Sequence, residues 1–146
     1  MPVESHIHKI IDKIDYNDLK NLPTIPEGIS YKVGDGARTT GDGIGDQAIT
    51  GLGFEPSCLI VIAKAVGSNS SIVWGVASSS DNQRAMENYY NGSGWSVSIN
   101  NIQFIVTRDT SANFARGNLK SFDSDGFTID WDEVDVTVSF IWIAFS

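Results

Sequence analysis

Two histidines, eighteen carboxylates and one thiol are the side chains here best suited to ligating a metal or moving a proton near neutral pH. His6 and His8 both fall within the first ten residues, ahead of the apolar segments from which a core would be built. A histidine base or a Ser-His-Asp arrangement inside a folded body therefore has no candidate residue. Two positions apart on a helix, the rings point in different directions and do not pinch one metal. Asp35, Asp42 and Asp46 stand in a Gly-rich stretch that could turn carbonyls toward calcium, but their spacing matches no loop supplying the full oxygen set. Asp123, Asp125 and Gly126 open like such a loop, and then Phe127, Ile129 and Trp131 stand where ligands are needed. Asp130, Asp132, Glu133 and Asp135 fall in turns or alternate with apolar residues. That is the pattern of a solvated strand face, not of two carboxyls split in pKa within one cleft. Cys58 lies in the apolar run CLIVIA and reads as a small core residue without an intrachain disulfide partner. No catalytic residue, metal site or cofactor is expected.

The aromatic residues offer a different chemistry. Trp74, flanked by Val73 and Val76, reads as core. Tyr89 and Tyr90 run into Asn91 and a Gly-rich turn, which puts at least one ring near the surface beside Trp95. Tyr89, Tyr90 and Trp95 are thus candidates for contact with a sugar or a protein, with Asp81, Asn88 and Asn91 as hydrogen-bonding neighbours.

The elements that must position these residues are strands. Fourteen glycines, abundant Ser, Asn, Thr and Asp, and strand-forming Val, Ile, Phe, Tyr and Trp fit short strands joined by tight turns. Candidate strands run over 48–52, 57–66, 71–77, 86–90, 95–99, 102–107, 119–122, 127–131 and 134–145. They predict an all-β, antiparallel, jelly-roll-like β-sandwich over 31–146, with a closed barrel as the other arrangement. Before it, residues 1–30 form an arm. Ile7, Ile10, Ile11 and Ile14 recur at helical spacing, Ser5 can cap the start and Pro23 stops continuation. The stripe ends at Asn17 and Asp18, so the predicted short helix docks on a neighbour and does not extend as a coiled coil. Pro23, Pro26 and Gly28 make an extended linker, and the Gly/Asp-rich residues 34–46 read as a loop.

A net charge of −8 argues against nucleic acid and anionic membranes as partners. No apolar run approaches the roughly 20 residues that span a bilayer, and no secretion signal opens the chain, so a soluble protein made in a cytoplasm is expected.

Residues 134–144 alternate Val134, Val136, Val138, Phe140, Trp142 and Ala144 against Asp135, Thr137 and Ser139, then against Ile141 and Ile143. One face is buried throughout and both become buried late, the mark of a central strand. It is expected to pair with 127–131 around Asp132 and Glu133. The stretch GLGFEPSCLIVIAKA (51–65), taken with SFDSDGFTIDW (121–131) and IWIAF (141–145), resembles a recurring module of tailed-bacteriophage virion proteins. In that family a Gly-Phe-x-Pro turn opens an early strand, and an Asp-Gly-Phe-Thr turn and an aromatic-Ile-Ala-Phe strand close the domain. The resemblance covers roughly residues 48–146 and rests on turns and core strands. It implies a β-sandwich on a virion surface, often a trimer, with no catalytic residues. Shaft heptads or β-helical repeats are absent from the sequence, so a decoration or cement protein is expected over a long fibre. Its partner would be the major capsid protein, contacted through Ile7, Ile10, Ile11 and Ile14, and its place the outer capsid surface. A tail-fibre or lectin-like module recognising host glycan is the alternative. Residues 71–78 look like a poorly protected edge strand, which symmetric association as a homotrimer would cover.

Overall fold

The computed structural model describes residues 28–67, 71–109 and 113–146. Among the described residues ten strands follow one another: β1 (Tyr31–Arg38), β2 (Gly45–Thr50), β3 (Cys58–Ala65), β4 (Ser71–Ser79), β5 (Asn82–Tyr90), β6 (Trp95–Asn100), β7 (Ile105–Arg108), β8 (Phe114–Asp123), β9 (Gly126–Val134) and β10 (Val138–Phe145). They build an antiparallel β-sandwich from a six-stranded sheet, β1-β10-β3-β4-β5-β6, and a four-stranded sheet, β2-β9-β8-β7. β1 pairs with β10 and β2 with β9, so the early strands lie beside the late ones in both sheets, as in a jelly roll. β3 to β6 and β7 to β9 are meanders, each within one sheet. The predicted helix, with Ile7, Ile10, Ile11 and Ile14, lies outside the described residues. Among the described residues no helix is long and apolar enough to cross a membrane.

Period-two alternation builds the core. β3 turns Leu59, Val61, Ala63 and Ala65 inward, and β10 turns Val138, Phe140, Trp142 and Ala144 inward. The four-stranded sheet answers with Leu119, Phe127, Ile129 and Trp131. Phe127 meets Trp142 edge-on at 5.4 Å and Trp131 meets Phe140 at 6.0 Å, geometries that add to the burial term.

Three expectations are corrected. Much of 34–46 is strand and not loop, because β1 extends to Arg38 and β2 starts at Gly45. β1 shows no apolar alternation since it lays Gly34 and Gly36 over aromatic rings; a Cβ there would stand 2.3 Å from Trp142 and 2.5 Å from Phe140. β9 and β10 are not a hairpin. Between Val134 and Val138 the chain crosses from one sheet to the other, held by Asp135 N–H donating to Phe114 O at 2.8 Å and Val66 N–H to Thr137 O at 2.8 Å. Finally, β4 lies between β3 and β5 and is no edge; the edges of the larger sheet are β1 and β6.

The two turn motifs that carry the resemblance meet in space. Gly51 N–H donates to Asp125 Oδ2 at 3.0 Å, Gly53 N–H to Asp125 Oδ1 at 2.5 Å, and Leu52 N–H to the Asp125 carbonyl at 3.1 Å. Gly51 and Gly53 adopt φ of 84° and 82°, which aims both N–H groups at one carboxylate. These donors, Gly53 foremost and then Gly51, hold the Asp125 carboxyl below its ordinary pKa. Gly126 is required next to it, since a Cβ would stand 1.9 Å from Ile49 O.

A buried polar bridge ties the sheets together at the other end. Glu87, 2% exposed, accepts from Ser71 Oγ at 2.9 Å and from Arg108 Nε at 3.0 Å, with a second close contact to Arg108 Nη2. Thr107 Oγ1 completes it by donating to Ser71 Oγ at 3.0 Å.

Candidate functional site

The strands that bury one apolar face of the larger sheet carry a second apolar face outward. Opposite Leu59, Val61 and Ala63, β3 presents Ile60 and Ile62; opposite Val138, Phe140 and Trp142, β10 presents Ile141 and Ile143. In register these side chains form rows. Ile141, Ile62, Trp74, Met86 and Ile99 stand side by side across five strands. Val33, Ile143, Ile60 and Val76 make the next row, which ends at Arg84. Ile72, Asn88 and Val97 flank the first row on its other side. Trp74 is 51% exposed and Ile99 68%, so the face is open to solvent along its length. Asp35, Lys64 and Arg84 are the charged residues among the outward positions of these strands.

Trp74, expected in the core, is the centre of this surface. Its strand is built inside out by size. Ser71, Val73, Gly75 and Ala77 face the core while Ile72, Trp74 and Val76 face solvent. The cause is Phe104, whose carbonyl passes so close behind β4 that a Cβ at Gly75 would stand 1.8 Å from it. Small residues are the ones that fit there. Beside Trp74 the face dips into a hollow of about 250 Å³ lined by Ile62, Lys64, Ile72, Ser139 and Ile141.

The candidate aromatic residues separate. Tyr90 and Trp95 pair across the β5–β6 turn on this same outward face, edge-on at 5.9 Å, 38% and 63% exposed. Tyr89 points to the opposite side of β5, half-buried, with the Arg108 guanidinium 3.9 Å above its ring. Cys58, expected in the core, is half-buried at the start of β3, paired with Phe145.

The outer face of the smaller sheet is polar. Asp46, Thr128, Asp130, Asn118 and Lys120 occupy its outward positions, with ion pairs Lys120–Asp46 and Arg116–Glu133, both at 2.6 Å. The hydrogen bond to Asp46 raises the Lys120 pKa. The acids weighed as calcium ligands are dispersed. Asp42 accepts from Thr39 N–H and Oγ1 at 2.8 and 2.6 Å, which lowers its pKa, Asp46 is committed to Lys120, and Asp123 accepts from Ser121 and Thr128. Among the described residues no three His, Cys, Asp or Glu side chains converge as metal ligands.

Two polar hollows, of about 370 and 480 Å³, lie on either side of Ile102 and Gln103 where the chain passes between sheets. Many of their polar groups already hold partners: Arg108 with Glu87, Arg116 with Glu133, and Gln103 with Asn100 and Asp132. No protein-family model, curated protein or solved structure matches the chain. The apolar face is what the sequence reading missed as a site, and its signal was the apolar residues on both sides of SIVWGVA and SFIWIAF.

Proposed function

We propose that the chain is a structural protein of a tailed-phage virion, a decoration or cement protein that binds the head shell as a homotrimer. The observation that carries this reading is the unequal dressing of the sandwich: one outer face apolar across five strands, the other polar and ion-paired. A body that joins copies through one side and meets solvent with the other needs that division. The clasp between Gly51, Gly53 and Asp125 supports it further, because it gives the motifs of the virion resemblance a shared mechanical role in closing the sandwich. The arm 1–30 supplies the contact with the major capsid protein. Mixing the purified protein with capsids that lack it, followed by cryo-electron microscopy, tests the reading. Added density at regular lattice positions is expected; bare shells refute it. In a pelleting assay, Ile10→Asp and Ile11→Asp together should abolish capsid uptake.

A second reading, recognition of host glycan, is favoured by the exposed Tyr90–Trp95 pair, since an open indole beside a phenol ring suits the apolar face of a sugar. Trp95→Ala would then remove binding on a glycan array.

A further inference from the structure

We infer that the outer face of the six-stranded sheet, centred on Trp74, is the surface through which copies of this chain associate, Trp74 of one copy seating in the hollow beside Trp74 of the next. The inference rests on the proposed assembly role only for the number of copies; the choice of occupant comes from the face itself.

Size comes first. Six strands at about 4.8 Å spacing and strands of roughly eight residues make a field about 24 Å by 26 Å, on the order of 600 Å² in plan. That is the scale of the roughly 800 Å² each partner contributes to a standard interface. A single helix laid on the face, about 10 Å across, would leave more than half of the width open. A second sheet covers it.

Charge comes next. The chain carries a net charge of −8, so two copies repel unless the meeting surface is poor in acids. The face meets that condition, with Asp35 on edge strand β1 as the acid among its outward strand positions and Lys64 and Arg84 as its bases. Asp46, Asp130 and Glu133 sit on the smaller sheet. A basic partner would find its complement there and not here.

Shape selects the same occupant. The half-exposed Trp74 indole and the hollow lined by Ile62, Ile72 and Ile141 are neighbours on one surface, so each copy brings both a projection and a recess. A projection and a recess on one surface let identical copies pair about a twofold axis or follow one another around a closed ring.

The test is the mass of the full-length protein by light scattering at micromolar concentration, with Trp74→Lys, Val97→Lys and, on the opposite face, Asn118→Lys. The wild type and Asn118→Lys should show a multiple of 15.8 kDa, threefold if the trimer reading is right. Trp74→Lys and Val97→Lys should each fall to the single-chain mass with unchanged circular dichroism, since both positions are exposed in the isolated chain. A monomeric wild type overturns the inference, whether residues 1–27 or another protein covers the face. So does an oligomer whose mass both face variants leave intact. If Trp74→Lys misfolds, Val97→Lys at the sheet edge decides. A monomer that still decorates capsids refutes this inference, and the trimer with it, but leaves the decoration role standing, whereas an oligomer that leaves capsids bare refutes the decoration role alone.

Discussion

Glu87 and Arg108 join the two sheets, and removing either should cost stability in a definite order. The Glu87 side chain is 3% exposed and that of Arg108 22%. In Arg108→Ala the carboxylate stays buried with Ser71 as its remaining donor. Stranding one partner of a buried pair costs about 3–5 kcal/mol, and the upper end applies here. The stacking of the guanidinium on Tyr89 and Phe114, at 3.9 and 4.7 Å, is lost as well. In Glu87→Ala the guanidinium can turn toward solvent, and Ser71 and Thr107 keep their mutual bond, so about 3 kcal/mol is expected. Both are large against the roughly 5–15 kcal/mol total of a domain. Replacing the pair together, Glu87→Met with Arg108→Met, removes both charges and should recover most of the loss. Urea unfolding at one fixed protein concentration measures all four proteins, with a midpoint shift on the order of 1–2 M for Glu87→Ala. If Glu87→Ala costs as much as Arg108→Ala, or if either costs less than about 1 kcal/mol, the bridge is not the strut described here.

Gly75→Ala would drive a Cβ to 1.8 Å from the Phe104 carbonyl, a backbone atom that cannot swing aside; a loss of about 3 kcal/mol is expected in thermal melts, with Gly94→Ala, which meets nothing within 4 Å, near neutral. Asp125 is held ionised by the Gly53 and Gly51 N–H groups, so its native pKa lies below the unfolded value of about 3.9. Its contribution is present above that value and lost as pH falls through the lower native one. The stability gap between wild type and Asp125→Asn should therefore close on acidification below about pH 4, and a gap constant down to the native pKa would remove the carboxylate clasp from the account.

Alternation made the inward residues of β10 legible, because Val138, Phe140 and Trp142 recur at period two, but the expectation that both faces of its late part are buried fails at Ile141, which is 51% exposed. The same rule cannot say which of two apolar sides meets the chain's own core. In β4 both sides are apolar, and the flanking Val73 and Val76 suggested Trp74 for the interior; the Phe104 carbonyl behind Gly75, a contact distant in sequence, leaves room there only for small residues and turns Trp74 outward. β1 was hidden for the opposite reason. Its inward positions Gly34 and Gly36 have no side chain to alternate, and their role shows only once Trp142 and Phe140 lie beneath them. The crossing at 135–137 looked like a hairpin turn because nothing local to Asp132 and Glu133 records that β9 already has β8 and β2 as partners. Turn chemistry was legible at Asp125 and Gly126, but not the segment it grips 72 residues away.

Energetics set the scale of what must cover the outer face. Fully burying a large apolar side chain is worth roughly 1.5–3 kcal/mol, and those of the Trp74 row are already about half shielded. Covering Ile141, Ile62, Trp74, Met86 and Ile99 alone therefore gains on the order of 5 kcal/mol, near the lower bound of the roughly 4–15 kcal/mol that association costs. A single strand or short peptide laid along one row would bind weakly. A sheet-sized partner also covers the row of Val33, Ile143, Ile60 and Val76 and the flank of Ile72 and Val97, which about doubles the gain for one association cost. The second apolar side of β3, β4 and β10 thus calls for a surface as broad as the sheet itself, and the chain's own second sheet is already committed to the inner face.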